Sequence, residues 1–216
     1  MNTIALILAT YNPNISMINQ SLLEADLFDE VILHVNHKSL PDGVKIKPNW
    51  KIIYQEERCT VEEAINQSIS ISNSTWILCW TDDDIFERKA LMDVLNFTRE
   101  HNGNEAIIYY PVFTGSEKEW KLWAEPNVTL EKLLDRNLIP FSSIYHKSVW
   151  KNVGGYKSDI PFSDWAFWIQ VVKANYEFKF INTPVYYHRH GHKLTLSKKQ
   201  AKTFNKEDFI KRLNNG

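Results

Sequence analysis

The sequence has little of what would make a chain fibrous, disordered, disulfide-built or membrane-spanning. Proline and glycine number only 8 and 7 among 216 residues, too few for a collagen-like or linker-rich chain. Cysteine occurs twice, at Cys59 and Cys79, with no CxxC and no His-rich spacing beside them. That rules out a disulfide framework and speaks against a structural zinc site. Both cysteines read as reduced, small apolar residues, with a mutual disulfide as the alternative. The N-terminal apolar run reaches only from Ile4 to Ala9, no basic segment precedes it, and no other stretch reaches membrane-spanning length. Neither a signal peptide nor a membrane span is expected, which places the protein in the cytoplasm. The sequence contains no GxGxxG, no GxxxxGK[ST] and no GxSxG. Dinucleotide binding, P-loop phosphoryl transfer and the serine-hydrolase elbow therefore have no support.

Charge is nearly balanced, at -1 overall, but unevenly distributed. Residues 193–216 carry seven Lys or Arg against Glu207 and Asp208, so the preceding 192 residues hold the remaining 18 basic and 24 acidic ones. An acidic body is a poor nucleic-acid binder. The basic tail suits an anionic membrane surface, such as the inner face of a membrane, or an acidic protein partner; the plain alternative is a solvated terminal helix.

What is present is aromatic surplus and a repeating pattern. Eight Trp, nine Tyr and eleven Phe exceed what a core of this size needs. Continuous apolar runs at 4–9, 30–36, 50–55, 76–81 and 106–113 read as buried strands. Helical spacing falls between them at 14–26, 60–72 and 87–101, the second opened by a capping box of Thr60 and Glu63. Strand–helix alternation predicts a mostly parallel central sheet flanked by helices. The second half is less regular. Helices are expected at 129–137 and 163–175, a strand and a short helix within 142–156 ending at Gly154–Gly155, two short strands within 177–190, and a tail helix at 197–213.

Three groups of residues suggest chemistry. Asp82, Asp83 and Asp84 follow the buried strand "WILCWT" directly. Adjacent carboxylates repel, and a divalent cation relieves the cost; oxygen donors of this kind suit Mg²⁺ or Mn²⁺ with phosphate oxygens completing the shell. The carboxyl ends of parallel strands are also where open sheets bind ligands. A helix cap needs only one Asp. Asp164, in "PFSDWAFW", has the chemistry of a general base beside an aromatic wall, or of a helix cap beside a core cluster. "YYHRHGH" at 186–192 places His188, Arg189, His190 and His192 where they can bind phosphate or a metal.

Together these stretches resemble the inverting nucleotide-sugar glycosyltransferases of family 2, which have a GT-A fold. The resemblance covers roughly residues 1–195 and rests on "ILATYNP", "TDDDIF", "VWKNVGGYKSDIPFSDWAFWIQ" and "YYHRHGHKLT" in that order. It implies one α/β catalytic domain at 1–195, followed by a basic helical tail at 196–216. It implies a metal-assisted transfer, with inversion, from a nucleotide-diphosphate sugar to a glycan or lipid-linked acceptor. Thr10 and Tyr11 then lie near the nucleotide, and Asp82 and Asp84 contact the ribose, the metal or the donor sugar. Asp83, Asp84 and His190 are the implied metal ligands, and His188 holds the diphosphate. Asp164 is the implied general base and Trp165 the acceptor contact. Asn36 and Asn66 are the further implied nucleotide-sugar contacts, and Asn36 stands where the family has a base-reading acid. Asn66 lies in "AINQSIS", where the family has an Arg- and Gly-containing segment. Ser163–Asp164 replaces an acidic pair. These departures keep a non-catalytic sugar-nucleotide or glycan binder in play, beside a nucleotidyltransferase and a metal-independent scaffold.

Overall fold

The structure, a computed structural model, describes residues 1–116, 118–189 and 204–215. Its main sheet has seven strands. β1 (Ile4–Thr10) pairs in parallel with β2 (Glu30–Val35) and with β4 (Trp76–Trp80), and β3 (Lys51–Tyr54) adds in parallel to β2. Beyond β4 lies β9 (Ile144–His146), antiparallel to both β4 and β6 (Ile107–Tyr109), and β10 (Phe178–Phe180) closes that edge parallel to β6. The order is β10-β6-β9-β4-β1-β2-β3. The expected mostly parallel sheet is therefore present, with β9 as its one reversed strand.

β1 is fully buried from Ile4 to Leu8, which explains why its sequence is continuously apolar. Its side chains alternate between two layers. Ile4, Leu6 and Leu8 pack with Ile18, Leu91 and Leu95 on one face; Ala5 and Ile7 pack with Ile65, Ile69 and Phe167 on the other. Burying each large aliphatic side chain contributes about 1.5–3 kcal/mol, so these layers dominate stability. The first face is covered by α1 (Ile15–Ser21) and α3 (Arg88–Glu100), the second by α2 (Val61–Ile71), α4 (Leu130–Asp135), α5 (Lys147–Val153) and α6 (Ser163–Lys173). The capping box of α2 forms as expected: Thr60 Oγ1 accepts from Glu63 N at 3.2 Å, and Glu63 Oε2 accepts from Thr60 N at 2.8 Å.

Some expectations are corrected. The helix predicted over 14–26 stops at Ser21 and gives way to a 3₁₀ turn at Ala25–Leu27. The strand predicted over 106–113 is two strands, because the chain leaves the main sheet after Tyr109 and enters a second one. That second sheet was not foreseen. It has the order β5-β11-β7-β8, from β5 (Ile85–Phe86), β7 (Val112–Ser116), β8 (Glu119–Trp123) and β11 (Tyr186–Arg189). Two-residue β5 is too short to carry a period, and β8 is mostly exposed, so neither has an apolar signature. Phe86 ties the two sheets together by stacking on Trp80, with ring centroids 3.5 Å apart.

The described part of the tail is a helix, α7 (Lys206–Asn215). It packs against α6 through Phe209 and Leu213, which are 1% and 4% exposed, and Phe209 lies 4.7 Å from the Trp165 ring. Gln170 Nε2 donates to the Leu213 carbonyl, and Lys206 pairs with Asp135. Residues 197–203 of the predicted tail helix lie outside the described residues. Both cysteines are free thiols, Cys79 buried and Cys59 half-buried. No described helix is long and apolar enough to cross a membrane.

Candidate active site

The carboxyl ends of β1 and β4 lie side by side because the two strands pair in parallel register, Leu8 opposite Trp80. The chain leaves each strand there, and the two exits are joined. Thr10 Oγ1 donates to Asp82 Oδ2 at 2.5 Å. Burial pushes the Asp82 carboxyl above the usual range; the Thr10 hydrogen bond opposes that, and the charges of Asp83 and Asp84 add to it.

Asp84 is held by the rest of the fold. It is 1% exposed. Its Oδ1 accepts the Arg189 backbone N–H at 2.9 Å, and His188 Nδ1 lies 3.2 and 3.0 Å from Oδ1 and Oδ2. Its own carbonyl accepts from Ser21 Oγ at 2.6 Å. Asp84 thus serves as the end of β5, satisfying a β11 donor that a longer strand would have paired. Burial works against the charged form of His188, but the hydrogen bond and charge of Asp84, then the charges of Asp83 and Asp164, outweigh it. The imidazole is held above its ordinary value and favours the cation.

Asp164 stands in the first turn of α6. Its Oδ2 accepts from Asn137 Nδ2 at 2.8 Å. Burial raises its carboxyl; the backbone N–H of Trp165, the Asn137 amide and the charge of His188 lower it, and the net result is upward. A carboxylate raised toward neutrality is a better proton acceptor than an ordinary one. Asp83, Asp84 and Asp164 therefore each lie near enough to His188 for their charges to act on it.

Tyr11 is half-exposed beyond β1, with the Arg58 guanidinium 4.7 Å above its ring. Nearby, Gln55, Glu57, Arg58, Cys59, Glu63 and Gln67 line a cleft of about 450 Å³. Asn36 does not open onto it. Its Nδ2 donates to the Cys59 carbonyl at 2.6 Å and its Oδ1 accepts the Cys59 N–H at 3.1 Å, so the side chain anchors the 55–60 loop to the end of β2. Asn66 is likewise occupied: it donates to the Tyr156 carbonyl and accepts from Tyr156 N and Trp150 Nε1. Its oxygen explains Gly155, whose φ is +73° and where a Cβ would come within 2.7 Å of Asn66 Oδ1. Trp165 is 7% exposed and donates to the Leu133 carbonyl at 2.6 Å, inside the packing of α4, α6 and α7. His190 lies outside the described residues. The sequence reading missed Arg58 and Asn137; only Arg58, a lone basic residue among acids after a strand, left any signal.

Among the described residues, no group of three or more His, Cys, Asp or Glu side chains is placed to hold a metal alone. Mg²⁺ and Mn²⁺ often take one or two carboxylates and fill the remaining positions with phosphate oxygens and water. Asp82 and Asp83, adjacent in this partly exposed acidic turn, are oxygen donors of the kind such a shared site uses.

No protein-family model matches the sequence, and no curated protein matches it closely enough to count as a relative. Solved structures do share its fold. S. aureus TarS 1–349 in complex with UDP-GlcNAc superposes with a TM-score of 0.71 at 17% identity, over 97% of this chain and 64% of that one. TarS 1–349 without that ligand gives 0.67 at 18% identity, over 87% of this chain and 60% of that one. The mannosyltransferase PcManGT from Pyrobaculum calidifontis, in complex with GDP-Man and Mn²⁺, gives 0.62 at 13% identity, over 87% and 56%. The chain thus spans about three fifths of these structures and has a glycosyltransferase fold of the GT-A-like type.

Proposed function

We propose that the protein transfers a sugar from a nucleotide-diphosphate donor to a glycan or lipid-linked acceptor, with inversion. The observation that carries this reading is the convergence at the ends of β1 and β4. An acidic turn tied to Thr10 faces His188 on one side, and a carboxylate raised by burial, Asp164, lies within electrostatic reach. The GT-A-like fold supports it, as do the nucleotide-sugars held by TarS and PcManGT.

In this reading Asp82 and Asp83 would hold the divalent cation. Bound there, Mg²⁺ or Mn²⁺ supplies charge neutralisation for the leaving group. His188, whose imidazole Asp84 shifts toward the cation against the opposing effect of burial, would add positive charge at the same end of the site. Thr10 and Tyr11 bracket the nucleotide end. Asp164 takes the proton of the acceptor hydroxyl as that oxygen forms its bond to the anomeric carbon and the bond to the diphosphate breaks. Asn137 holds one oxygen of that carboxylate in place. A single displacement inverts the anomeric centre. Nucleotide release from UDP- and GDP-sugars, with and without Mn²⁺, tests the reading.

A second reading, a sugar-nucleotide binder without turnover, is favoured by one observation: Asn36 and Asn66 spend their polar atoms on the protein itself. Tight nucleotide-sugar binding without release would select it.

A further inference from the structure

The first turn of α6, which carries Asp164, is weakly fixed by its own sequence. Phe162, the residue before it, lies in the left-handed region at φ +53° and offers no side-chain cap. A non-glycine residue keeps that conformation only where its surroundings hold it. The leading N–H groups of such a turn gain nothing from the residue that precedes them. What fixes Asp164 therefore comes from other elements.

Much of it comes from the tail. Phe204, two residues before α7, packs on Phe162 and Trp165, with ring centroids 5.1 and 5.7 Å apart. Phe209, on α7, packs on Trp165 at 4.7 Å and on Phe204 at 5.5 Å. Phe209 and Leu213 are buried, so the contact belongs to the core. The flanks of the helix are tied as well. Arg212 Nη1 donates to the Asp159 carbonyl at 3.0 Å, in the loop that leads into α6, and Gln170 Nε2 of α6 itself donates to the Leu213 carbonyl at 3.0 Å. At the other end Lys206 Nζ donates to Asp135 Oδ1 at 2.8 Å. Asp135 closes α4, and Asn137, two residues on, is the donor to Asp164. α7 thus touches the loop before Asp164, the residue after it, and the helix that leads to its hydrogen-bond donor. Lys206 and Arg212, read in the sequence as charge for a membrane or partner, make these bonds within the protein.

We propose that α7, with Phe209 at its centre, is a positioning element of the active site: it holds the first turn of α6 so that the Asp164 carboxylate meets the acceptor hydroxyl in the geometry proton transfer needs. The inference rests on the glycosyltransferase reading above, in which Asp164 is the base. Phe209 is 1% exposed and acts through Trp165, the neighbour of Asp164. A displacement of about 1 Å at a reacting group can lower a rate roughly a hundredfold, so packing behind the base is felt in the rate. In the same reading the donor's diphosphate lies at the ends of β1 and β4, so disturbing α7 separates rate from donor affinity.

The test is a double-mutant cycle on nucleotide release from UDP-GlcNAc and GDP-mannose in Mn²⁺, with Phe209→Ala, Asp164→Asn and the two combined. Phe209→Leu, donor calorimetry and melting temperatures accompany it. Phe209→Ala should lower kcat at least about tenfold and leave donor affinity within about twofold, and Phe209→Leu, which refills most of the space, should recover most of the rate. In the Asp164→Asn background Phe209→Ala should change release by less than about twofold, because no base is left to position. A wild-type rate in folded Phe209→Ala overturns the proposal. So does an equal fractional loss with and without Asp164, or a loss of donor affinity that accounts for the slower release; either makes α7 a general stabiliser of the fold. Should Phe209→Ala not fold, Lys206→Ala combined with Arg212→Ala, at half-exposed side chains, carries the same cycle under the same criteria. Release undiminished by Asp164→Asn overturns the base assignment and the proposal together. Wild-type protein that releases nucleotide from neither donor overturns the glycosyltransferase reading itself, and the proposal with it.

Discussion

Thr10, the last residue of β1, hydrogen-bonds Asp82, two residues beyond the end of β4. The contact crosses two parallel neighbours and fixes the start of the acidic turn relative to the end of β1. It also lowers the Asp82 carboxyl against the upward push of burial. Thr10→Val keeps the shape and removes the donor. We expect the Asp82 carboxyl to rise further and Mn²⁺-dependent nucleotide affinity to fall roughly tenfold. Calorimetry between pH 5.5 and 8 measures this, and the loss should be largest at the acid end.

Asp83→Ala removes the half-exposed carboxylate of the turn. Nucleotide binding in the presence of Mn²⁺ should drop to the level seen without it, while binding in EDTA stays unchanged. Equal affinity with and without Mn²⁺ in the wild-type protein would remove the metal from the account.

Glu30 gives a pH prediction independent of the site. Its Oε2 accepts from Ser72 Oγ, Ser74 N, Ser74 Oγ and Asn73 N, and its Oε1 from Lys51 Nζ at 2.6 Å. Burial raises this carboxyl, but the bonds from Lys51, Ser72 and Ser74 outweigh it, and the net direction is downward. A depressed carboxyl stabilises the fold above its unfolded value of about 4.3 and loses that contribution as pH falls through its folded value. Glu30→Gln should therefore destabilise by about 1–3 kcal/mol at pH 7, with the difference shrinking steadily below about pH 4.3. Denaturant midpoints at pH 7 and pH 3 check the sign.

Asp164 runs the other way. Its carboxyl is raised, so the native state resists ionisation and stability falls as pH rises from the unfolded value through the folded one. Asp164→Asn should melt no lower than wild type at pH 7, and higher if the burial cost dominates. A marked loss of melting temperature would show that the ionised carboxylate holds the fold together.

Much of this architecture was legible in the sequence where pattern is set by burial. The fully buried run of β1, the capping box at Thr60 and Glu63, and the sudden acid after "WILCWT" each have one physical cause and one appearance. The second sheet was not legible, since β5 is too short for alternation and β8 faces solvent. Within the candidate site, Asp82–Asp84, His188 and Asp164 stood out in the sequence because their residue types are unusual in their settings, and what the fold adds is that His188 lies against Asp84. Asn36 and Asn66 look like ligands in sequence because an asparagine bound to a distant backbone is indistinguishable from one awaiting a substrate. Asn137 is the converse: an ordinary loop residue, brought to Asp164 only by a contact 27 residues apart in sequence.

The central claim is that this convergence of side chains turns over a nucleotide-sugar with Asp164 as base. Nucleotide release from UDP-GlcNAc and GDP-mannose in Mn²⁺, for wild type and Asp164→Asn alongside calorimetry, tests it most directly. The account predicts release by wild type that falls at least about a hundredfold in the variant, with donor affinity kept within about twofold. Release undiminished in Asp164→Asn, or tight donor binding by wild type with no release, would contradict it.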